Sequence, residues 1–257
     1  MKYVLIVTFW IAFQSIEAKP TWGPTGHRTL SEIAEKHLSK KAFRKIQKIL
    51  DGQSLAFVST YADEIKSDKK YRKFSPWHYV NFPFNKTYQE SKKSQYGDLA
   101  VGIETSVNII KNPNSSKEEK AFYLKMLIHL IGDLHQPLHV GRAEDKGGNS
   151  IFVKWHGKKT NLHRVWDEDM IDSWGMSYTE LSRSAKKLDK KQIKNIEKGS
   201  VADWINETQS LAVMVYQSAE KNENLRYKYS YDHIGLVRSQ LQKGGIRLAK
   251  ILNDLFS

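Results

Sequence analysis

The residues of this 257-residue chain that could do chemistry are histidines and aspartates recurring between positions 22 and 167. The chain contains no cysteine, so any metal held there would be bound through nitrogen and oxygen rather than thiolate. A donor set of this kind and size favours a catalytic site with several metal ions over a thiolate zinc finger. The candidate ligands are Trp22, His27, Asp63, His78, His129, Asp133, His139, His163 and Asp167.

The densest part of this set is the run HLIGDLHQPLH. His129 and Asp133 are four residues apart, so a helix would place them one turn apart on one face, within reach of one cation. Pro137 should end or kink that helix and turn His139 toward the same cleft. Buried His and Asp side chains need partners, which favours a metal over an ordinary core role. His135 is assigned no metal and is either a supporting group or a surface residue.

The remaining candidates are weaker when each is taken alone. The run NLHRVWDED repeats the four-residue spacing in His163 and Asp167, which could join His139 around a cation but could also form a surface ion pair. Asp63 and His78 lie in a long loop region, where each alone would be an ordinary loop carboxylate and a structural histidine. The dense run HLIGDLHQPLH strengthens the interpretation of these residues as metal ligands.

Trp22 stands at the head of the motif WGPTGH. If Trp22 becomes the mature N-terminus, its α-amino group and its own carbonyl oxygen can chelate a metal, because an α-amino group loses its proton near neutral pH. The alternative is an ordinary core aromatic.

Helical periodicity dominates the elements that would have to position these groups. Ser116 and Glu119 form a capping-box pattern at the start of the helix that carries the dense run. A small hairpin turning at Gly157 is predicted over 150–162, and a loop region with short helical pieces over 57–98. The chain is therefore predicted to be one mostly α domain with a small β-hairpin. The apolar spacing predicts helices over 30–50, 116–134, 200–216 and 232–255.

The formal net charge of +13 favours a polyanionic partner such as nucleic acid or anionic membrane, although a solvated lysine-rich surface would have the same composition. Lys2, an apolar run over 3–13 and Ala18 predict a secretory signal peptide over 1–21, with 19–21 as a short pro-segment if cleavage follows Ala18. The run is too short to span a membrane, although an uncleaved amphipathic anchor is an alternative. A secreted or periplasmic protein with no membrane anchor is expected.

Taken together, the motifs resemble those of the zinc-dependent single-strand nucleases of the S1/P1 type, also called type I nucleases. The resemblance covers nearly the whole chain from Trp22 onward. It rests on WGPTGH, ADEIK with WHYVN, HLIGDLHQPLHV, DKGGN, NLHRVWD and GGIRLAKILN. It implies that 22–257 form a zinc-dependent nuclease domain with the helical fold shared by zinc phospholipase C and these nucleases.

The resemblance also implies three Zn²⁺ ions as cofactors. Asp133 would bridge the first two. The implied ligands are Asp63, His78, His129 and Asp133 for the first ion, the amino and carbonyl groups of Trp22 with His27 and Asp133 for the second, and His139, His163 and Asp167 for the third.

The activity implied is endonucleolytic hydrolysis of single-stranded DNA and RNA to 5′-phosphate products, together with 3′-nucleotidase activity on 3′-nucleotides. A zinc pair lowers the pKa of a shared water toward 7, and Asp63 would orient that water as the catalytic carboxylate. The resemblance places Lys66 near the phosphate, Tyr79 against a base and Asn149 near the phosphate or the third zinc. Asn81 stands where fungal members carry Asp, so base preference stays open. No stable protein partner is inferred.

Two other functions compete with the nuclease. A zinc-dependent phospholipase C would use a closely similar site with an N-terminal Trp. A secreted zinc- or DNA-binding protein without turnover would have closed, filled metal sites. The motifs HYVN and GGN favour the nuclease over the lipase, and a ligand set with an open water position favours an enzyme over a binding protein.

Overall fold

A computed structural model describes residues 22–257, so the expected signal peptide over 1–21 lies outside the described residues. Over 22–257 the chain is mostly α-helical, with one small sheet, as the sequence predicts. No helix in this range is long and apolar enough to cross a bilayer. The helices are α1 Pro24–Lys36, α2 Lys40–Ile49, α3 Leu55–Val58, α4 Tyr61–Glu64, α5 Leu99–Lys111, α6 Lys117–Leu134, α7 Leu162–Arg164, α8 Met170–Ser173, α9 Tyr178–Arg183, α10 Lys190–Ile196, α11 Val201–Gln217 and α12 Tyr227–Phe256.

Helix α6 is the centre of the fold. It begins with the predicted capping box, in which the Ser116 hydroxyl accepts from the Glu119 amide and the Glu119 carboxylate accepts from the Ser116 amide. Every residue from Met126 to Leu134 is buried, because α5, α12, α1 and α4 pack around this half of the helix. The helix ends ahead of Pro137, as expected, and a 3₁₀ turn Pro137–Val140 continues the chain.

The predicted hairpin consists of β1 (Phe152–Trp155) and β2 (Lys158–Asn161), which pair antiparallel. Its two-residue turn contains His156 at φ 49° and Gly157 at φ 85°, the left-handed pair that matches the twist of the flanking strands. A third strand, β3 (Asn224–Leu225), pairs parallel with β1 and was not predicted. Two residues carry too little periodic signal to be recognised as a strand.

The region between α2 and α5 contains short helices, as the sequence predicts for 57–98. Helices α3 and α4 are followed by 3₁₀ helices at Ile65–Ser67 and Lys69–His78. The last helix begins at Tyr227 rather than near Asp232, so the predicted start was wrong by five residues. Tyr229 explains the difference, because it is buried and joins this first turn to the core by accepting a hydrogen bond from the Trp166 indole.

Candidate metal centre

The predicted ligands come from elements that meet beside the second half of α6. Helix α1 carries His27, α4 carries Asp63, and the 3₁₀ helix Lys69–His78 ends on His78. The other predicted ligands lie on α6, on the 3₁₀ turn after it, on α7 and on the π-helical turn Val165–Asp169. Apart from Asp63, every predicted ligand is at most 4% exposed; these residues are Trp22, His27, His78, His129, Asp133, His139, His163 and Asp167.

Asp133 lies at the middle of the cluster. Its Oδ1 atom is 3.4 Å from Nε2 of His27, and its Oδ2 atom is 2.9 Å from Nδ1 of His78 and 3.2 Å from Nε2 of His129. Asp63 approaches from the other side, with Oδ1 3.4 Å from Nε2 of His129. The two carboxylate oxygens of Asp133 therefore face different histidines, as a ligand shared between two ions requires.

A second group forms around Asp167. Nε2 of His139 lies 3.4 Å from Oδ1 of Asp167, and Nε2 of His163 lies 3.0 Å from Oδ2. The sequence places His163 and Asp167 on a regular helix, but the chain widens into a π-helical turn from Val165, and the pair still meets. Nδ1 of His139 is 3.7 Å from Oδ1 of Asp133, so this group adjoins the first.

Backbone carbonyl oxygens fix the orientation of three of the histidines. Nδ1 of His129 donates to the Ser59 carbonyl at 2.7 Å, Nδ1 of His139 to the His78 carbonyl at 2.6 Å, and Nδ1 of His163 to the Gly147 carbonyl at 2.5 Å. In a neutral imidazole this leaves Nε2 as a lone-pair donor aimed into the cluster. Metal-binding histidines in proteins are held in the same way.

Several buried polar atoms of the cluster have no hydrogen-bond partner among the described residues. Such atoms are rare and destabilising in proteins, because the free energy lost when they leave water is not recovered by a hydrogen bond. Five of these atoms sit on proposed ligands and each faces an atom of another proposed ligand, which is the arrangement that a bound cation satisfies. They are Nε2 of His27, Oδ1 of Asp133, Nε2 of His139, Nε2 of His163 and Oδ2 of Asp167.

The charges of the cluster favour cations. Burial alone raises the pKa of the Asp133 carboxyl, but His129 and His139 outweigh it and hold the pKa well below its usual value. Burial also raises the pKa of Asp167, but His163 and His139 outweigh it and lower that pKa to about 2. Both carboxylates are therefore ionised at neutral pH. Burial lowers the pKa of His78 to about 4, so that ring is neutral and able to bind a metal.

Small residues make room for the ligands. A Cβ atom added to Gly132 would lie 2.6 Å from Nδ1 of His27, so only glycine lets α6 approach that ring. A Cβ atom on Gly26 would lie 2.8 Å from the Trp22 ring, which packs over α1. The amide of Gly23 donates to the Asp167 carbonyl at 2.9 Å and ties the chain after Trp22 to the cluster.

The cluster opens to solvent at Asp63, whose side chain is 25% exposed. Nζ of Lys66 lies 2.7 Å from Oδ1 of Asp63 at this opening. Tyr79 is 44% exposed beside His78, and Asn81 follows two residues later with a buried Oδ1 atom that has no partner among the described residues.

Asn149, which the resemblance places near the phosphate or third zinc, has its side-chain amide in a local hydrogen bond. Its Nδ2 atom donates to the Lys146 carbonyl at 2.8 Å within the DKGGN turn. This leaves the Asn149 Oδ1 atom as its remaining polar group. The same turn presents the Gly147 carbonyl to His163, so its contact with the site is made through the backbone.

His135 is a buried residue rather than a surface residue. It is 0% exposed, Nδ1 donates to the Ile131 carbonyl at 2.8 Å, and Nε2 accepts from Nη1 of Arg247 at 3.2 Å. The surface alternative from sequence is wrong, and the supporting role is structural. No local signal could have revealed this partner, because Arg247 lies 112 residues away.

A helical fold around a buried, all-N/O centre of histidines and aspartates is typical of metal-dependent hydrolases. The sequence profile of the S1/P1 Nuclease family matches residues 22–257. The chain belongs to this family, and it is accordingly an enzyme, a metal-dependent phosphodiesterase, as predicted.

Individual relatives agree with the family. Endonuclease 4 of Arabidopsis thaliana is 31% identical over 99% of this chain and 94% of its own length. Nuclease P1 of Penicillium citrinum is 27% identical over 91% of this chain and 97% of its own. The alpha toxin of Clostridium absonum has a TM-score of 0.50 and 18% identity over 93% of this chain, which spans 65% of the toxin. This last likeness concerns the fold alone and confirms the predicted fold type.

Proposed function

We propose that the chain is a secreted endonuclease that hydrolyses single-stranded DNA and RNA to 5′-phosphate products with three zinc ions, and that it also removes phosphate from 3′-nucleotides. Family membership supports single-strand cleavage. The observation that carries the metal part is the set of five buried, mutually facing donor atoms without hydrogen-bond partners among residues 22–257.

The residues present fit three ions. Donor atoms of three sets lie within 4.8 Å of one another: His27, His129 and Asp133; Asp63, His78 and His129; and His139, His163 and Asp167. The proposed assignment gives Asp63, His78, His129 and Asp133 to one ion, Trp22, His27 and Asp133 to a second, and the Asp167 group to a third. When bound, zinc supplies Lewis acidity toward the phosphate and a water of lowered pKa.

The side chains at the opening carry out the remaining work of the reaction. Asp63 is held ionised, because His129 and Lys66 outweigh burial in lowering its pKa, so its carboxylate can accept a hydrogen bond from the attacking water and orient it. Lys66 places an ammonium group where the phosphate must enter. The water oxygen forms the new P–O bond, the bond from phosphorus to the 3′-oxygen breaks, and one water proton ends on that oxygen.

Single-strand preference follows from Tyr79. An exposed ring beside a metal ligand can stack on a base, and a base held in a duplex is not free to do so. Asn81 is two residues further along the same extended segment, and its buried Oδ1 atom would have to be uncovered to accept a hydrogen bond from a base edge. The side-chain oxygen of Asn149 would reach the phosphate or third ion only if it turned away from its local bond.

Residues 22–257 are proposed as the mature nuclease domain, and residues 1–21 as the signal that directs it to the periplasm or the outside of the cell. The match of the family profile begins at Trp22, which supports this boundary. A chain that begins at Trp22 would have the free amino group that the second ion needs.

The test uses protein that begins at Trp22. It is incubated with single-stranded DNA, single-stranded RNA and a 3′-nucleotide, with chelator and after zinc is restored. Degradation to 5′-phosphate ends that stops with chelator and returns with zinc is the expected result. Phosphocholine release from phosphatidylcholine without nucleic-acid cleavage would assign a phospholipase C instead, and inactivity of metal-loaded protein on all substrates would leave a binding protein.

A further inference from the structure

The 3₁₀ helix Lys69–His78 is unusual, since its 10 residues far exceed the usual single turn of this conformation. With three residues per turn, side chains three apart in sequence share a face. One face is apolar and packs inward. It consists of Tyr71, Phe74 and Trp77, with ring centroids of Tyr71 and Phe74 5.8 and 5.3 Å from that of Phe122 on α6.

The other two faces carry exposed basic residues, and one of these faces ends on the buried His78. Lys69, Arg72, Ser75 and His78 follow one another at three-residue spacing, so this row ends on a metal ligand. The neighbouring row contains Lys70, Lys73 and Pro76, and Tyr79 lies one residue past the end of the helix. A rise of about 2.0 Å per residue puts Arg72 about 12 Å and Lys69 about 18 Å from His78 along the helix axis.

Three of these cations have no acidic counterpart. Lys69, Arg72 and Lys73 are exposed, and no carboxylate of residues 22–257 forms an ion pair with them, whereas Lys70 pairs with Asp68 at 3.0 Å. We name Lys69, Arg72 and Lys73 the cationic face. The aromatic row anchors it to α6, so its charges are held on a fixed element rather than on a loose loop.

We propose that the cationic face binds the phosphate backbone of a single strand outside the cleaved bond and holds a long substrate along the 3₁₀ helix toward Tyr79 and His78. This inference rests on the proposed nuclease function and deepens it. Charge complementarity selects the occupant, because exposed cations without acidic partners on a helix that ends at the proposed phosphate-cleaving centre match a polyanion threaded through that centre. The helix is about 20 Å long, the length of about six stacked nucleotides at most.

The experiment compares long and short substrates. The variant Lys69→Ala/Arg72→Ala/Lys73→Ala is assayed with a single strand of about 20 nucleotides and with a dinucleotide too short to reach the face. We expect kcat/KM for the long strand to fall at least tenfold at about 50 mM salt, and kcat/KM for the dinucleotide to stay within twofold. The dinucleotide also reports that the variant is folded and loaded with metal.

The matched control is Lys41→Ala/Arg44→Ala/Lys45→Ala. These residues have the same spacing and composition, are exposed on α2 and form no ion pair with residues 22–257, and α2 contributes no proposed ligand. This control should leave both activities unchanged. Loss of three phosphate contacts should also reduce the slope of log affinity against log salt by about 2 for the first variant only.

Binding of a phosphorothioate strand of about 20 nucleotides, followed by fluorescence anisotropy, gives a readout that does not need turnover. Weaker binding by the cationic-face variant alone supports the inference even if wild-type protein cleaves nothing, an outcome that would overturn only the proposed function. The inference about the cationic face would be overturned by equal losses in the two variants, by equal losses on long and short substrates, or by an unchanged salt slope. Loss of binding to anionic phosphatidylserine vesicles with oligonucleotide binding retained would also overturn it.

Discussion

Nε2 of His163 lies 3.0 Å from Oδ2 of Asp167, and neither atom has a hydrogen-bond partner among the described residues. Nδ1 of the same ring donates to the Gly147 carbonyl, which orients Nε2 toward the carboxylate. A cation bound between the two atoms would satisfy both of them. The relationship is local, yet the two residues are placed by a π-helical turn and by the DKGGN turn, so it is a property of the fold.

Gly132→Ala should remove His27 from the cluster without unfolding the protein. The added methyl group would lie 2.6 Å from Nδ1 of His27, and that ring has no hydrogen bond to hold it against displacement. We expect loss of about one of the three zinc ions and at least a hundredfold lower activity, since ligand geometry within a fraction of an ångström sets the rate. Metal analysis and nuclease assays of the same sample measure this.

The control for this substitution is Gly235→Ala on α12, where an added Cβ atom meets nothing within 4 Å. Alanine is the better helix former, so this variant should be more stable by about 0.5–1 kcal/mol with unchanged zinc content. A Gly132→Ala protein with full metal content and activity would show that α6 can move away from His27.

Zinc binding should release protons. In the metal-free protein, burial lowers the pKa of His129, but Asp133 and Asp63 outweigh it and raise the pKa to about 10; Asp133 and Asp167 likewise raise that of His139 to about 9. Both rings are protonated at pH 7 and must each lose a proton to bind a metal. Apparent affinity should therefore rise from pH 6 to pH 9.

Calorimetry in two buffers with different ionisation enthalpies measures this release directly. We expect about two protons per protein from these two rings at pH 7. A binding enthalpy that does not depend on the buffer would mean that the rings are already deprotonated, and would contradict the assignment of His129 and His139 as ligands that exchange a proton for zinc.

Tyr79→Ala should weaken the action on single strands. Stacking of a base on an aromatic ring contributes about 1–3 kcal/mol, so kcat/KM on single-stranded DNA should fall about 5- to 150-fold with zinc content unchanged. Tyr96→Ala is the comparison, because Tyr96 is a more exposed tyrosine, at 70%, that has no proposed part in the site. Equal effects of the two substitutions would remove Tyr79 from the base-binding site.

Arg247→Met should destabilise the fold while leaving the metals in place. Arg247 is 4% exposed, and its guanidinium donates to His135 and, at 3.0 Å, to the Ile196 carbonyl, and forms an ion pair with Glu207. Removing these contacts leaves buried acceptors unsatisfied, at a cost of about 2–4 kcal/mol. Urea unfolding of the zinc-loaded protein measures the change.

Arg44→Met on exposed α2 is the corresponding control and should change the free energy of unfolding by less than about 0.5 kcal/mol. If Arg247→Met lost zinc as well as stability, His135 would contribute to the metal centre, a role that its hydrogen bonds do not indicate.

The sequence predicted the helical class because the relevant signals are local, and the same local spacing identified the candidate ligands that the fold brings together. His129 and Asp133 stand one helical turn apart, and Pro137 ends the helix where the chain has to turn. Long-range contacts left no such signal. The two-residue strand Asn224–Leu225 forms only because β1 offers an edge, and the carbonyls of Ser59 and Gly147 that orient two ligands can be provided by any residue.

Contacts at the opening of the site could not all be predicted from residue spacing. Lys66 contacts Asp63, three residues earlier in the chain, whereas the resemblance implied only that Lys66 lies near the phosphate. The Asn149 side-chain amide instead donates a hydrogen bond within its own turn. This contact depends on the backbone conformation of the DKGGN segment rather than on residue type. From the sequence, the basic residues of the 3₁₀ helix Lys69–His78 counted only toward the net positive charge. The structure places them along one helix that ends at His78.

The most direct test of the central claim is anomalous diffraction at the zinc edge from crystals of protein that begins at Trp22. Three peaks are expected, two on either side of Asp133 and one among His139, His163 and Asp167. Asp133→Asn should weaken the first two and leave the third. A zinc-loaded crystal with no anomalous peak between these side chains would contradict the assignment of these residues as metal ligands.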